Sequence, residues 1–288
     1  PAGTKRPAGD DSSGPDTPCS CQENEHVGEG ITWIEDSSVG STKNWKDITM
    51  SSNGTKLAAV VYEQGSKIWT SSDGGATWNA NEDYSKMWSA ITSSADGTKL
   101  AALASMSSNL YISTDSGATW SDTGSGLGNL EWTSITSSAN GTKLAAVATS
   151  GGGRIGNIYT STDSGATWTM GGMATSGKKW FGIAGSDDGT KLAAVVDGSG
   201  QGYIWTSTDS GATWSEDDSL GSQNWKAITS SADGTKLAAV VHGGNIWTST
   251  DSGATWSEVT SITSSQDWTD ITSSADGTKL AAVVHGGN

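Results

Sequence analysis

Polar and apolar positions recur in a fixed order along most of the chain. A representative stretch begins Trp225-Lys-Ala-Ile-Thr-Ser-Ser, passes Ala-Asp-Gly-Thr, and continues Lys-Leu-Ala-Ala-Val-Val. After a variable loop it resumes as Asn-Ile-Trp-Thr-Ser-Thr-Asp-Ser-Gly-Ala-Thr-Trp256. The first run predicts a strand. Asp-Gly supplies the positive φ angles of a tight hairpin turn. Leu-Ala-Ala-Val-Val predicts a second strand, apolar enough to be buried on both faces. Asn-Ile-Trp-Thr-Ser alternates and is aromatic, predicting a third, and the segment ending in Trp256 turns into a fourth.

The pattern repeats. A leading Trp stands at Trp45, Trp88, Trp132, Trp180, Trp225 and Trp268, 43 to 48 residues apart. The Asp/Asn-Gly turn returns at Asn53, Asp96, Asn140, Asp188, Asp233 and Asp276, and a closing Trp at Trp78, Trp120, Trp168, Trp214 and Trp256. Four antiparallel strands in such a period describe one blade of a β-propeller. The expected fold is therefore all-β: a six-bladed β-propeller of four-stranded antiparallel blades.

The segment Ser-x-Asp-x-Gly-x-Thr-Trp occurs five times, at 71–78, 113–120, 161–168, 207–214 and 249–256. It resembles the Asp-box, or bacterial neuraminidase repeat. In that family the box joins the third and fourth strands of a blade. The resemblance implies a fold-forming role for Asp73, Asp115, Asp163, Asp209 and Asp251 and for the closing tryptophans. The physics agrees: a carboxylate can accept backbone N–H groups across a turn. A looser resemblance, in leading Trp, turn and box, is to the photosystem II assembly factor of chloroplasts and cyanobacteria, whose arginine patch this chain lacks.

Ring closure follows from counting. The sixth unit stops at Asn288, before a third strand, and needs another 11 to 16 residues to reach a box Trp. Residues 20–33 supply 14 and end in Gly30-Ile-Thr-Trp33, like the end of a box. The last blade is thus expected to be shared between the N- and C-terminal segments. A seven-bladed or incomplete ring is the alternative, because Ser20–Val27 is polar and matches a third strand poorly.

All four prolines lie in residues 1–18. This marks an extended Pro/Gly/Ser-rich tail ahead of a propeller over 19–288. Cys19 and Cys21 are too close to staple the body; a strained local disulfide, a bond to another chain or free thiols remain open. A start at Pro1 suggests a processed chain.

Charge and composition narrow the function. The net charge of −15 disfavours nucleic acid and anionic membrane. No run approaches the 18 apolar residues of a membrane-spanning helix. The Asp-box family includes sialidases, which hold the substrate carboxylate with three arginines, but this chain has only Arg6 and Arg154. Carboxylates outside the repeat consensus, Asp47, Glu131, Asp187 and Asp270, are the candidates for a glycosidase pair. His242 and His285 lie one blade apart with no third ligand, and Asp187-Asp188 and Asp217-Asp218 lack an EF-hand-like series, so neither metal nor cofactor is expected.

The six leading tryptophans form a possible ring for stacking sugars. Asn53-Gly-Thr and Asn140-Gly-Thr are possible N-glycosylation sites. Near-identical units favour repetitive contacts over one asymmetric active site. The expected function is a secreted structural or adhesive protein, not an enzyme, that assembles with copies of itself or coats a surface through its tail. A glycan-binding, lectin-like propeller is the alternative, and a glycoside hydrolase the second.

Overall fold

The structure is a computed structural model. It describes residues 39–40, 43–105, 109–124, 127–128, 130–149, 156–172, 175–197, 202–262 and 265–286, all within one compact unit, 35–287. The tail, Cys19, Cys21 and the proposed N-terminal strands at 20–33 lie outside the described residues.

The first repeat forms β1 (Trp45–Met50), β2 (Leu57–Val61), β3 (Ser66–Ser71) and β4 (Asn79–Lys86). The second forms β5 (Trp88–Ser93), β6 (Leu100–Ala104), β7 (Leu110–Ser113) and β8 (Ser121–Asp122). The third forms β9 (Glu131–Ser137), β10 (Leu144–Thr149), β11 (Asn157–Ser161) and β12 (Thr169–Met170). The fourth forms β13 (Trp180–Gly185), β14 (Leu192–Val196), β15 (Ile204–Ser207) and β16 (Ser215–Asp217). The fifth forms β17 (Trp225–Ser230), β18 (Leu237–Gly244), β19 (Ile246–Ser249) and β20 (Ser257–Glu258). The sixth contributes β21 (Gln266–Ser273) and β22 (Leu280–Val284). Each of the first five repeats pairs its strands antiparallel in sequence order, as the pattern predicts. The end of β18 also pairs with β21, at His242 with Asp267 and Gly244 with Gln266, which joins the fifth and sixth repeats.

Successive repeats pack through one recurring core. Strand β14 turns Ala193 and Val195 toward the next repeat, where they meet Trp225 and Ile228. Ala145 and Val147 meet Trp180 and Ile183 in the same way, and Ala238 and Val240 meet Trp268 and Ile271. The indole also meets an aromatic ring of its own third strand edge-on: Trp88 with Tyr111, Trp132 with Tyr159 and Trp180 with Trp205, at 5.2–6.0 Å between centroids. A one-residue bulge follows Trp45, Trp88, Trp180, Trp225 and Trp268. An inserted residue bends a strand and re-aims its side chains, so the indole turns into the seam while the next residues face the axis.

A polar layer runs beside this core. Before each Asp/Asn-Gly turn, one backbone N–H donates to the equivalent carbonyl of the next repeat. The pairs are Ser52 to Ala95, Ala95 to Ala139, Ala139 to Asp187, Asp187 to Ala232 and Ala232 to Ala275, each 2.7 Å. Lysines bridge the same seams: Lys56, Lys99, Lys143 and Lys191 donate from Nζ to Ser116, Ser164, Ser210 and Ser252 of the following box.

The first and last repeats lack this cover. Trp45 is 42% exposed, and Ile48 and Met50 are exposed with it. On the other side Leu280 and Val283 are exposed.

Trp180 is fully buried in its seam, so Trp180→Ala is expected to destabilise the chain by about 3–5 kcal/mol. Denaturant unfolding measures this, and a loss under about 1 kcal/mol would show that the seams do not carry the fold.

Candidate functional site

The inner strands surround an axial cavity of about 1060 Å³. Its wall is built from the two residues after each leading Trp, the ones the bulge re-aims. The second of these is Asp47, Ala90, Ser134, Gly182, Ala227 and Asp270 in chain order. Four repeats place a small residue there, and the first and last place a carboxylate. Glu131, Lys46, Lys226, His242 and His285 also line the cavity.

Asp47 is tied on both oxygens. Its Oδ1 accepts the N–H of Ile48, and its Oδ2 accepts the N–H of Ile91 in the next repeat, each at 2.8 Å. Ser134 does the equivalent job more weakly, accepting from Ile183 at 3.3 Å. Asp270 accepts only the local bond, from Ile271. Surrounding protein pushes the Asp47 carboxyl up to about 6, the two N–H donors oppose the rise, and the charge of Asp270 adds to it. Asp270 is raised by the same desolvation. Both side chains still touch open cavity space, where water moderates the shift, so the direction is the firmer statement.

The four carboxylates singled out from sequence separate here. Asp47, Asp270 and Glu131 share the cavity. Asp187 sits at an exposed turn, its backbone engaged in the inter-repeat hydrogen bonds. What distinguishes Asp47 and Asp270 is their shared register position two after the leading Trp, a signal that appears once the repeats are aligned.

The expected aromatic ring requires correction. Trp88, Trp132, Trp180, Trp225 and Trp268 are buried in the seams, and only Trp45 presents an open face. The bulge that aims the neighbouring residues at the axis turns the indoles away from it. Four of these indoles also donate their N–H to loop carbonyls: Trp88 to Ser66, Trp180 to Thr175, Trp225 to Gly202 and Trp268 to Gly244.

The box residues are occupied by their own turns. In each box the Asp accepts from the Ser hydroxyl and from the backbone and hydroxyl of the Thr; for Asp209 these are Ser207 at 2.8 Å and Thr213 at 2.8 and 2.6 Å. These donors hold Asp73, Asp163, Asp209 and Asp251 down to about 2, and lower Asp115 likewise. Trp120 is buried, while Trp78, Trp168, Trp214 and Trp256 are half-buried. Asn53 and Asn140 lie at exposed hairpin tips, where Oδ1 accepts from the following Thr. His242 stands 3.7 Å from Asp267. Among the described residues no three His, Cys, Asp or Glu side chains converge as a metal site would need.

No protein-family model matches the chain, and no curated protein does. Solved structures do match. The β-propeller domain of Myceliophteria thermophila Cps50 (Swd1) aligns at TM-score 0.61 with 14% identity, over 86% of this chain and 82% of that one. The fold is a β-propeller. An ancestral GH74 enzyme aligns with this propeller at TM-score 0.64 and 15% identity, over 88% of this chain and 37% of that one. The Niastella koreensis GH74 enzyme aligns at 0.53 and 22%, over 74% and 31%. The propeller thus spans about a third of the length of the GH74 enzymes it matches, and at these identities the likeness is one of fold.

The pH dependence of stability follows from the two kinds of carboxylate. A raised native pKa means the folded state holds more protons, so stability falls as pH rises from about 4 to about 6 through Asp47. The box aspartates act the other way: their contribution is present above about pH 4 and is lost as pH falls toward 2. Asp47→Asn is expected to flatten the first slope and leave the second. Thermal melts between pH 2 and 7 read both, and an unchanged upper slope would clear Asp47 of the effect.

Proposed function

We propose that the chain is an extracellular structural or adhesive propeller that assembles with copies of itself or coats a surface. The observation that carries this reading is where repetition is kept and where it stops. The seams repeat almost residue for residue, whereas the cavity wall changes from blade to blade. At the first and last blades the seam chemistry is left open, with Trp45, Ile48, Leu280 and Val283 exposed. Exposed apolar surface rimmed by polar residues marks a contact surface. The count we favour is six blades, β21 and β22 being half of the sixth, with residues 20–33 the chain's own candidate for its outer strands. The tail, 1–18, is the candidate arm between copies, and Cys19 and Cys21 could lock it covalently in an oxidising compartment.

Two measurements test this. Size-exclusion and electron microscopy of the intact chain are expected to show concentration-dependent oligomers or filaments, reduced when residues 1–18 are removed. Monomers in both at high concentration would overturn assembly. A six-bladed closed ring also predicts that Trp45→Ala costs about as much as Trp180→Ala, some 3–5 kcal/mol; a cost under about 1 kcal/mol would mean an open ring.

A second reading has its own support. Asp47 and Asp270 are two carboxyls with raised pKa in one cavity, the requirement for acid chemistry on glycosides, and two of the similar folds are GH74 enzymes. A glycan bound in the cavity, or hydrolysed there, is what this reading predicts. Turnover of polysaccharide near pH 5–6 that is lost in Asp47→Asn and Asp270→Asn would establish it in place of the structural role.

A further inference from the structure

We propose that the outer edge of β22 is a socket for one β-hairpin of the repeat's own sequence, carried by another polypeptide chain. This names the partner behind the assembly reading and rests on the six-bladed count. The fifth blade shows the socket filled. There Leu237, Ala238, Ala239 and Val240 pair with Ser249, Thr248, Trp247 and Ile246 of the third strand. Strand β22 carries the same Leu-Ala-Ala-Val, and among the described residues no third strand pairs with it. An unpaired edge is a ready template for an added strand.

Three contacts define what fits. The first is apolar cover. In the fifth blade the box glycine, Gly253, lies over Leu237 and over Thr206 of the preceding blade, so close that a Cβ would meet them at 3.4 and 2.8 Å. By the same register a sixth box glycine would lie over Leu280 and Thr248. Leu280 is 43% exposed, against 6% for Leu237.

The second contact is the lysine bridge. Four lysines donate to the box serine of the next blade, at 3.1–3.2 Å. Lys236 occupies the same position before the sixth blade and donates instead to the carbonyl of Asp276. The third is a backbone bond: the Ser252 N–H donates to the Thr235 carbonyl at 2.8 Å, and Thr278 is the sixth-blade equivalent of Thr235. Each bridging serine sits at φ near 60°, a left-handed conformation that costs a non-glycine residue energy and aims its hydroxyl at the lysine.

The incoming segment must therefore alternate Ile-Trp-Thr-Ser, then carry Asp-Ser-Gly in the turn. Residues 20–33 keep Gly30, Thr32 and Trp33. They place Glu23 and Asn24 where Ile246 and Trp247 stand, and Glu29 where the serine stands. A hairpin of the repeat sequence supplies the apolar pair and the hydroxyl that this segment lacks.

The test uses the full chain and a labelled synthetic peptide of sequence 245–258. The expected result is saturable one-to-one binding, with amide exchange of Leu280–Val284 slowed by the peptide. Replacing the peptide glycine, Gly253→Val, is expected to weaken binding about tenfold or more. Lys236→Ala in the chain should weaken it several-fold, and on that background the peptide change Ser252→Ala should cost nothing further. Absence of saturable binding overturns the proposal. Binding that appears only after residues 1–36 are removed overturns it too, by showing that the chain fills its own socket, and leaves the six-bladed count standing. Protection of Leu280–Val284 that grows with protein concentration, without peptide, assigns the edge to a second copy and likewise overturns it. Blade number is read separately from electron-microscopy class averages, so failure of the count and failure of the socket are distinguishable.

Discussion

The indole wedged between successive sheets is the interaction on which the rest of this structure depends. A single four-stranded repeat has two apolar faces and no means of burying either alone. Trp180 illustrates the solution. It fills the space between Ala145 and Val147 of one sheet and Trp205 of its own, and the alanines opposite are small enough to admit it. The Leu-Ala-Ala-Val strand is the complement of the Trp-x-x-Ile strand, with small residues where the ring lies. Because each sheet carries both halves, the seam propagates from one repeat to the next, and it stops where one half has no partner.

The polar layer shows why Ser, Thr, Gly and Asp can dominate the sequence without loosening the fold. Buried or half-buried hydroxyls must be paired, and here they pair within a few residues of chain. Ser207, Asp209 and Thr213 close one such network, and Ser231, Asp233 and Thr235 close another in the hairpin turn. Asn stands for Asp at 53 and 140 because the turn draws on one acceptor oxygen, Oδ1, which both side chains own. These local networks hold the turns in the shape that lets backbone and lysine bonds cross to the next sheet.

Much of the fold was legible in the sequence because its determinants are local or periodic. Strand order, the hairpin turns at Asp-Gly, and the box joining third and fourth strands all follow from residues within one repeat. The direction of the leading indoles was not legible. Alternation alone puts Trp225 and Ala227 on one face of β17; the bulge between them breaks that alternation, and nothing in Trp-Lys-Ala-Ile announces a bulge. The lysine bridges were hidden for a different reason: Lys56 and Ser116 are 60 residues apart, and only the angle between neighbouring sheets brings them together. At the site, Asp47 and Asp270 were visible as unusual residues, but their convergence required knowing that the residues after the Trp face the axis.

In a structure this repetitive, asymmetry carries the information. Five seams repeat one solution, so their residues are explained by packing and by nothing else. The cavity wall departs from repetition at Asp47 and Asp270, on the first and last blades. The outer surface departs from it at Trp45, Ile48, Leu280 and Val283, on the same two blades. The coincidence has a physical basis. Asp47 spans its seam by accepting the N–H of Ile91, whereas Asp270 makes only its local bond to Ile271, and the blade it would have reached is the one that presents Trp45 and Ile48. The charge inside and the apolar surface outside are thus two sides of one incomplete junction, and whatever completes that junction acts on both.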